Sequence, residues 1–169
     1  MAPGVRKLVL SVHIAVSVGW LGAVAAYVAL DAAAATGRDE QTLRAARLGM
    51  ELVARRVIVP LAIATLVTGL VVSLGTKWGL FRHYWVLISL ALTLVATAVL
   101  LLEIRVIAYQ GRIAADPGAS LPTLRRLATT LPHSVGGTLV LLVVLVLNIY
   151  KPRGMTRYGR RKERATGAP

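Results

Sequence analysis

Four long apolar stretches constrain this chain more than any other feature of its sequence. They occupy residues 8–30, 57–76, 84–102 and 134–150. A helix needs about 20 apolar residues to cross a bilayer. Because backbone groups in lipid must bond one another, continuous runs of this length favour helices over open strands. The sequence therefore predicts an all-α fold, an integral membrane four-helix bundle with up-down-up-down topology.

Composition supports a lipid environment and excludes several classes of protein. Hydrophobic residues make up 56% of the chain and charged residues 16%, against about 25% charged in an ordinary soluble domain. The chain contains no cysteine, which excludes disulfides, thiolate nucleophiles and cysteine-ligated clusters. No zinc-protease, phosphate-loop or nucleophile-elbow motif occurs. The sequence therefore favours a role other than catalysis.

The connections between the apolar stretches suggest one membrane domain, residues 1–150, followed by a basic tail, residues 151–169. Residues 39–56 predict an amphipathic helix that runs into the second span, with Asp39 as its N-cap. Pro60 lies about one turn inside that span and predicts a kink. Residues 121–130 predict a short interfacial turn, and the tail is expected to be flexible. The first span exceeds the 7–15 apolar residues of a signal peptide, so we expect a retained anchor.

The charges predict how the protein is oriented. Four spans place both termini and the middle loop on one side, with eleven Lys and Arg residues, against nine on the other. Six of the seven acidic residues lie on that second side. We therefore expect a multi-pass protein of the cell (inner) membrane with cytoplasmic termini. The tail would then contact anionic lipid. Nucleic acid is not an expected partner, because no pattern of stacking aromatics accompanies the basic residues.

Polar side chains share one face of the first span. His13 begins the series and is followed at helical spacing by Ser17, Trp20, Tyr27 and Asp31. Polar groups inside a membrane are costly and often functional. This face therefore predicts either a ligand-bearing or proton-carrying surface, or a packed interior in which His13 bonds to a neighbour.

Small and hydroxylated residues recur every four positions in the second and third spans. Such faces let membrane helices approach closely and form hydrogen bonds. We expect these helices to pack through them, and we expect a homo-oligomer or a partner in a membrane complex. The residues are Thr65, Gly69 and Ser73 in the second span, and Ser89, Thr93 and Thr97 in the third.

The predicted topology separates the remaining polar residues into two levels. The inner level holds His13 and His83, and His83 adjoins aromatic residues typical of a membrane interface. At the outer level, Glu103 is expected either to pair with an arginine or to form part of a proton path. The outer cluster consists of Glu103, Arg105, Arg55, Arg56 and His133.

Short motifs along the chain resemble the copper-resistance D-like superfamily. The string HIAVSVGWLG at 13–22 resembles the histidine–tryptophan–glycine signature of these proteins, and TLVTGL at 65–70 resembles a further segment. The strings KWGLFRHYWVLISL at 77–90 and YKPRGMTRYGRRK at 150–162 resemble small four-helix bacterial members. The resemblance implies a four-helix membrane protein. It also implies copper handling or haem binding through the histidine of the first span, which here is His13.

The leading hypothesis for function is a haem-binding or redox-associated membrane module. Neutral imidazole is a common axial ligand of haem iron, and haem b is the expected cofactor with His13 as its metal ligand. Ser17, Trp20 and His83 are the other candidate cofactor-binding residues. Two alternatives remain open, namely a non-catalytic accessory or scaffold subunit and a small channel or proton path.

Overall fold

The structure is a computed structural model that describes residues 1–76 and 79–166. Lys77, one of the charges counted above, and the last three tail residues lie outside the described residues. The described chain is all-α, as predicted, and its extended pairing is a single isolated bridge between His83 and Met155. The helices are α1 (Pro3–Thr36), α2 (Glu40–Val53), α3 (Val59–Gly75), α4 (Tyr84–Ala115), α5 (Leu121–Arg125), α6 (Leu131–Tyr150) and α7 (Arg157–Thr166).

Within residues 1–76 and 79–166, four helical segments are long and apolar enough to cross a membrane, in agreement with the four predicted apolar spans. They are α1, the continuous helix Glu40–Gly75, α4 and α6. Two of these helices extend well beyond the predicted apolar runs. Helix α1 continues past residue 30 to include Asp31, and α4 continues past residue 102 to Ala115. These extensions carry polar side chains into the layer next to the membrane.

The four apolar helices form a ring in which each one packs against two others. Helix α1 contacts α3 and α6, and α4 also contacts α3 and α6. Large apolar side chains cover the outside of the ring, as in Leu8, Leu74 and Leu102, which are 65%, 70% and 74% exposed. A water-soluble bundle would bury such residues, so the exposed apolar belt fits lipid as the surrounding solvent. The alternating up-down-up-down order of the helices stays a prediction.

Helix α2 forms as predicted and joins α3 through a π-helical turn, Ala54–Ile58. The Asp39 carboxylate accepts a hydrogen bond of 2.8 Å from the backbone N–H of Thr42, which caps the start of α2. The π turn ends two residues before Pro60. Proline has no N–H for the helical ladder, and this widened turn lies just before it. The kink at Pro60 stays a prediction.

Helix α2, the end of α4 and α5 form a small layer next to the bundle. Arg44 of α2 donates hydrogen bonds to the backbone carbonyls of Ala114, Asp116 and Ala119. These carbonyls lie at and just beyond the C-terminus of α4, where a positive charge is favourable. The layer has its own apolar cluster, which consists of Leu43, Ala114, Ala119 and Leu124.

The described part of the basic tail is folded, whereas the sequence analysis expects flexibility. The backbone N–H of Thr156 donates to the carbonyl of Arg82, and the Thr156 hydroxyl donates to the carbonyl of Phe81. The backbone N–H of Tyr84 donates to the carbonyl of Gly154. Helix α7 follows directly. These contacts join residues about 75 positions apart, which local composition cannot reveal.

Candidate functional site

An apolar cavity of about 320 Å³ lies between α1, α4 and α6. This volume is in the range of small-molecule sites. Trp20, Tyr27 and Leu141 are buried and line its interior. Val95 and Val99 of α4 line its outer side and are 60% and 39% exposed. The cavity therefore opens to the membrane along the seam between α4 and α6.

Two adjacent glycines in α6 keep the cavity open. Gly136 and Gly137 line it, and a Cβ added at either position would meet no neighbouring atom within 4 Å. Glycines in membrane helices commonly permit close helix packing, but here the space beside them is empty of protein. The sequence did not indicate a site at this glycine pair, because the distance between α4 and α6 is not encoded locally.

Trp20 supplies a hydrogen-bond donor that no group in residues 1–76 and 79–166 uses. Its side chain is 3% exposed and lines the cavity, and its indole Nε1 is buried and has no partner among these residues. The indole nitrogen can only donate, and an unsatisfied buried donor costs about 1–3 kcal/mol. A ligand with an acceptor oxygen would satisfy it. Among the cofactor-binding candidates from the sequence, Trp20 alone lines this cavity.

Polar groups lie at one end of the cavity. His133 Nε2 is 3.8 Å from Glu103 Oε1, and both residues line the cavity. The hydroxyls of Tyr27 and Thr130 lie 3.1 Å apart at the same end. The cavity thus has an apolar body and a polar end, which is the pattern of an amphiphile-binding site.

A buried carboxylate adjoins this polar end. Asp31 is fully buried, and its Oδ2 accepts hydrogen bonds from Thr130 Oγ1 at 2.8 Å and Ser134 Oγ at 3.0 Å. Its Oδ1 has no partner among the described residues. The periodicity of α1 placed Asp31 on the face with Tyr27, but no sequence signal pointed to Thr130 or Ser134. These contacts tie the end of α1 to the start of α6.

A second buried polar pair lies between α2 and α4. Arg47 is 3% exposed and donates to Gln110 Oε1 and to the backbone carbonyl of Ala128. Gln110 Nε2 also donates to the carbonyl of Ala128, at 2.9 Å. The sequence analysis counted Arg47 only as a loop charge. Its burial depends on α4 continuing to Ala115, which the apolar runs did not predict.

The structure places His13 against α3 and away from the cavity. Its Nδ1 lies 2.9 Å from the hydroxyl of Thr68, and its ring lies close to Gly69. Ser17 donates its hydroxyl hydrogen bond to the carbonyl of His13 within α1. These contacts fit the packed interior that was one expectation for this face. His13 lines neither of the two cavities between the helices described here, so its ligation of haem stays a prediction.

The other residues of the two polar levels do not form one site. His83 lies beside Met155 in the isolated bridge, and its ring centroid is 6.5 Å from that of Trp85. Arg55 pairs with Glu51 at 3.1 Å rather than with Glu103. The structure therefore brings together only two members of the predicted outer cluster, namely Glu103 and His133. The remaining members, Arg105 and Arg56, are exposed.

Comparisons with protein-family models, curated proteins and solved structures give no match to this chain. The resemblance of residues 13–22 and the other strings to the copper-resistance D-like superfamily therefore stays a prediction. In the described ranges 1–76 and 79–166, no three His, Asp or Glu residues are grouped closely enough to hold a metal ion. The cavity between α1, α4 and α6 is the feature that carries a functional proposal.

Proposed function

We propose that this membrane protein binds a lipid-soluble amphiphile whose polar head carries a hydrogen-bond acceptor. The observation that carries the proposal is that Trp20 lines an apolar cavity while its buried indole N–H has no hydrogen-bond partner in the described part of the chain. A buried donor is rarely left unsatisfied in a folded protein. An acceptor oxygen on a bound molecule would remove that cost.

The lining of the cavity supports a quinone-like head group as the chemical class. A quinone carries carbonyl oxygens, which only accept hydrogen bonds, on opposite sides of a flat apolar ring. Trp20 would donate to one carbonyl, and the ring would lie against apolar side chains such as Leu100 and Leu141. His133, at the polar end, offers a ring nitrogen that can donate a hydrogen bond to the second carbonyl. An apolar tail would leave through the seam between α4 and α6.

Quenching of Trp20 fluorescence tests this proposal directly. In a variant with Trp78→Phe and Trp85→Phe, Trp20 is the one remaining tryptophan. Decyl-benzoquinone, a quencher of indole fluorescence, is titrated into liposomes that contain this variant. Binding in the cavity predicts saturable quenching, whereas quenching that only rises linearly with quinone in the bilayer contradicts the proposal.

A matched pair of glycine substitutions separates binding from general effects on the membrane protein. Gly137→Leu places a side chain in the cavity, and Gly22→Leu places the same side chain on the exposed surface of α1, where a Cβ also meets no atom within 4 Å. The proposal predicts that Gly137→Leu abolishes saturable quenching and that Gly22→Leu preserves it. Equal effects of the two substitutions would refute the cavity as the site.

Substitution of Trp20 tests the hydrogen bond itself. Trp20→Phe removes the N–H but keeps an aromatic ring. We expect the affinity for decyl-benzoquinone, followed by equilibrium dialysis of liposomes, to fall about 2- to 13-fold, the equivalent of about 0.5–1.5 kcal/mol for one hydrogen bond. An unchanged affinity would show that the indole N–H does not contact the head group.

We also propose, from the charges, that the tail lies on anionic lipid and that both termini are cytoplasmic. Helix α7 carries exposed arginines, among them Arg157 and Arg161. The segment before it bonds to the backbone of Phe81 and Tyr84, whose exposed aromatic side chains suit a membrane interface. Each surface cation adds about 1 kcal/mol of attraction to anionic lipid. A single cysteine, Ala165→Cys, tests the orientation in intact cells. Labelling by an impermeant maleimide would contradict cytoplasmic termini.

Three earlier hypotheses stay predictions beside this proposal. Haem ligation by His13 is tested by the visible absorption spectrum of the purified protein, in which bound haem gives a Soret band. An accessory subunit or a homo-oligomer predicts co-purifying chains in mild detergent. A proton path through Glu103 predicts a liposome proton flux that Glu103→Gln lowers, and the 3.8 Å contact with His133 is the feature that supports it.

A further inference from the structure

A second cavity lies on the other flank of α6, where the end of α1 meets the start of α6. It is an open groove of about 1210 Å³. Arginines line one part of the groove, and apolar side chains of α6 line the other. The arginines are Arg38, Arg47 and Arg125, and the apolar residues include Leu131, Val135 and Leu139.

The arginine part of the groove carries excess positive charge. No acidic residue is among those that line it. Arg38 and Arg125 are exposed, and Arg125 Nη2 donates to the backbone carbonyl of Arg38 at 2.6 Å, which holds the two residues together. Asp31, which is buried nearby and accepts from Thr130 and Ser134, does not line the groove, and its single charge offsets only part of the three arginines by its electrostatic interaction with Arg47.

Arg47 adds a third, buried guanidinium to the groove. The residue is 3% exposed, and its terminal nitrogens donate to Gln110 and to the backbone carbonyls of Leu127 and Ala128. Its Nε is buried and has no hydrogen-bond partner among residues 1–76 and 79–166, and the residue lines the groove. A guanidinium presents its N–H groups in a planar fork that matches phosphate oxygens.

The apolar part of the groove continues toward the membrane. Val135 and Leu139 lie on one face of α6, one turn apart, and are 38% and 58% exposed. A chain that follows this face would pass from the arginines at the end of the bundle onto the apolar belt. The groove therefore has a cationic end that suits a phosphate head group and an apolar surface that suits an acyl chain. A phospholipid carries these two parts in the same order.

We propose that this groove binds one anionic phospholipid. Its phosphate contacts Arg38, Arg47 and Arg125, and an acyl chain lies along Val135 and Leu139. The site lies on a different flank of α6 from the quinone cavity, so neither proposal depends on the other. Phosphate fits better than a lone carboxylate because three guanidinium groups can share its several oxygens.

Binding of labelled phospholipid in mild non-ionic detergent tests the proposal. The probes are fluorescent phosphatidylglycerol and the matched phosphatidylcholine, measured by anisotropy with the full-length protein. We expect phosphatidylglycerol to bind more tightly than phosphatidylcholine. The double variant Arg38→Gln with Arg125→Gln should lose most of this preference, because each removed charge lowers the affinity for phosphatidylglycerol about fivefold. Arg38→Lys, which keeps the charge, should retain most of it.

Neighbouring arginines provide the matched control. Arg56 and Arg126 are exposed and do not line the groove, so Arg56→Gln with Arg126→Gln removes the same charge from elsewhere. Equal losses in the two double variants would refute a specific site, and so would equal affinity for the two lipids in the native protein. Inorganic phosphate at millimolar concentration should not displace the lipid. Displacement by phosphate alone would contradict the acyl track.

Discussion

Replacement of Asp31 by alanine tests whether the buried carboxylate fastens α1 to α6. Asp31 is fully buried and accepts hydrogen bonds from Thr130 and Ser134, which lie 99 and 103 positions later in the chain. The substitution removes both bonds and leaves a small void. The two hydroxyls keep other partners, since Thr130 also contacts Tyr27 and Ser134 donates to the carbonyl of Leu131.

The size of the effect follows from these two bonds. Hydrogen bonds between membrane helices contribute about 0.6 kcal/mol on average and at most about 1.7 kcal/mol. Two such bonds to Asp31 therefore predict a loss of about 1–3 kcal/mol in the free energy of unfolding. Thr130 and Ser134 keep their other partners in the variant. Their hydroxyls therefore do not add the larger loss in free energy that buried hydroxyls without any partner would cause.

Unfolding by sodium dodecyl sulfate in mixed micelles, followed by circular dichroism, measures this loss. Asp116→Ala is the matched control, because the Asp116 carboxylate is exposed and bonds only within its own turn, to the N–H of Gly118. We expect the control to change stability by less than about 0.5 kcal/mol. A double-mutant cycle between Asp31→Ala and Ser134→Ala should show a coupling of at least about 0.5 kcal/mol. Zero coupling would refute the proposed fastening.

Three further predictions concern the tail, the cap of α2 and the histidine of α1. In Gly159→Ala, the new methyl group would collide with the carbonyl of Arg82. We therefore expect faster amide hydrogen exchange at residues 156–160. Unchanged exchange would contradict the packing of the tail against Arg82. The hydrogen bond from the Thr42 amide holds the pKa of Asp39 below its ordinary value. The cap is therefore fully formed at pH values above the ordinary pKa of Asp, and it is lost as the pH falls through the lowered pKa. Equal hydrogen exchange of the Thr42 amide at neutral and strongly acidic pH, after correction for intrinsic rates, would contradict this. If His13 ligates haem, the purified protein gives a Soret band that His13→Ala abolishes, and a colourless haem-supplemented sample contradicts ligation.

The membrane helices were predictable because lipid imposes a simple rule on sequence. A run of about 20 apolar residues identifies a span whatever the tertiary contacts. The face that joins Tyr27 and Asp31 was also predictable, since helical periodicity depends only on spacing within one helix. The N-cap at Asp39 follows from local backbone chemistry in the same way. Each of these features is encoded within a few turns of the chain.

The cavity and its polar end were not predictable, because they depend on contacts between distant segments. Among the described residues, no acceptor from another helix reaches the indole N–H of Trp20, and spacing within α1 cannot reveal this. The glycine pair in α6 opens a cavity only at the observed spacing from α4. His133, and not an arginine, lies nearest to Glu103 for the same reason. The sequence shows which side chains are polar, but it does not show which residues of different helices contact one another.

A nitroxide label at the outer side of the cavity tests the central claim most directly, which is that a bilayer-facing seam leads to an apolar binding cavity. The chain has no cysteine, so Val95→Cys, at an exposed residue that lines the cavity, gives a single labelling site without filling the interior. In liposomes, the account predicts that dissolved oxygen relaxes the label more strongly than a water-soluble nickel chelate does, and that decyl-benzoquinone restricts its motion. Stronger relaxation by the nickel chelate, with motion unaffected by the quinone, would contradict the account.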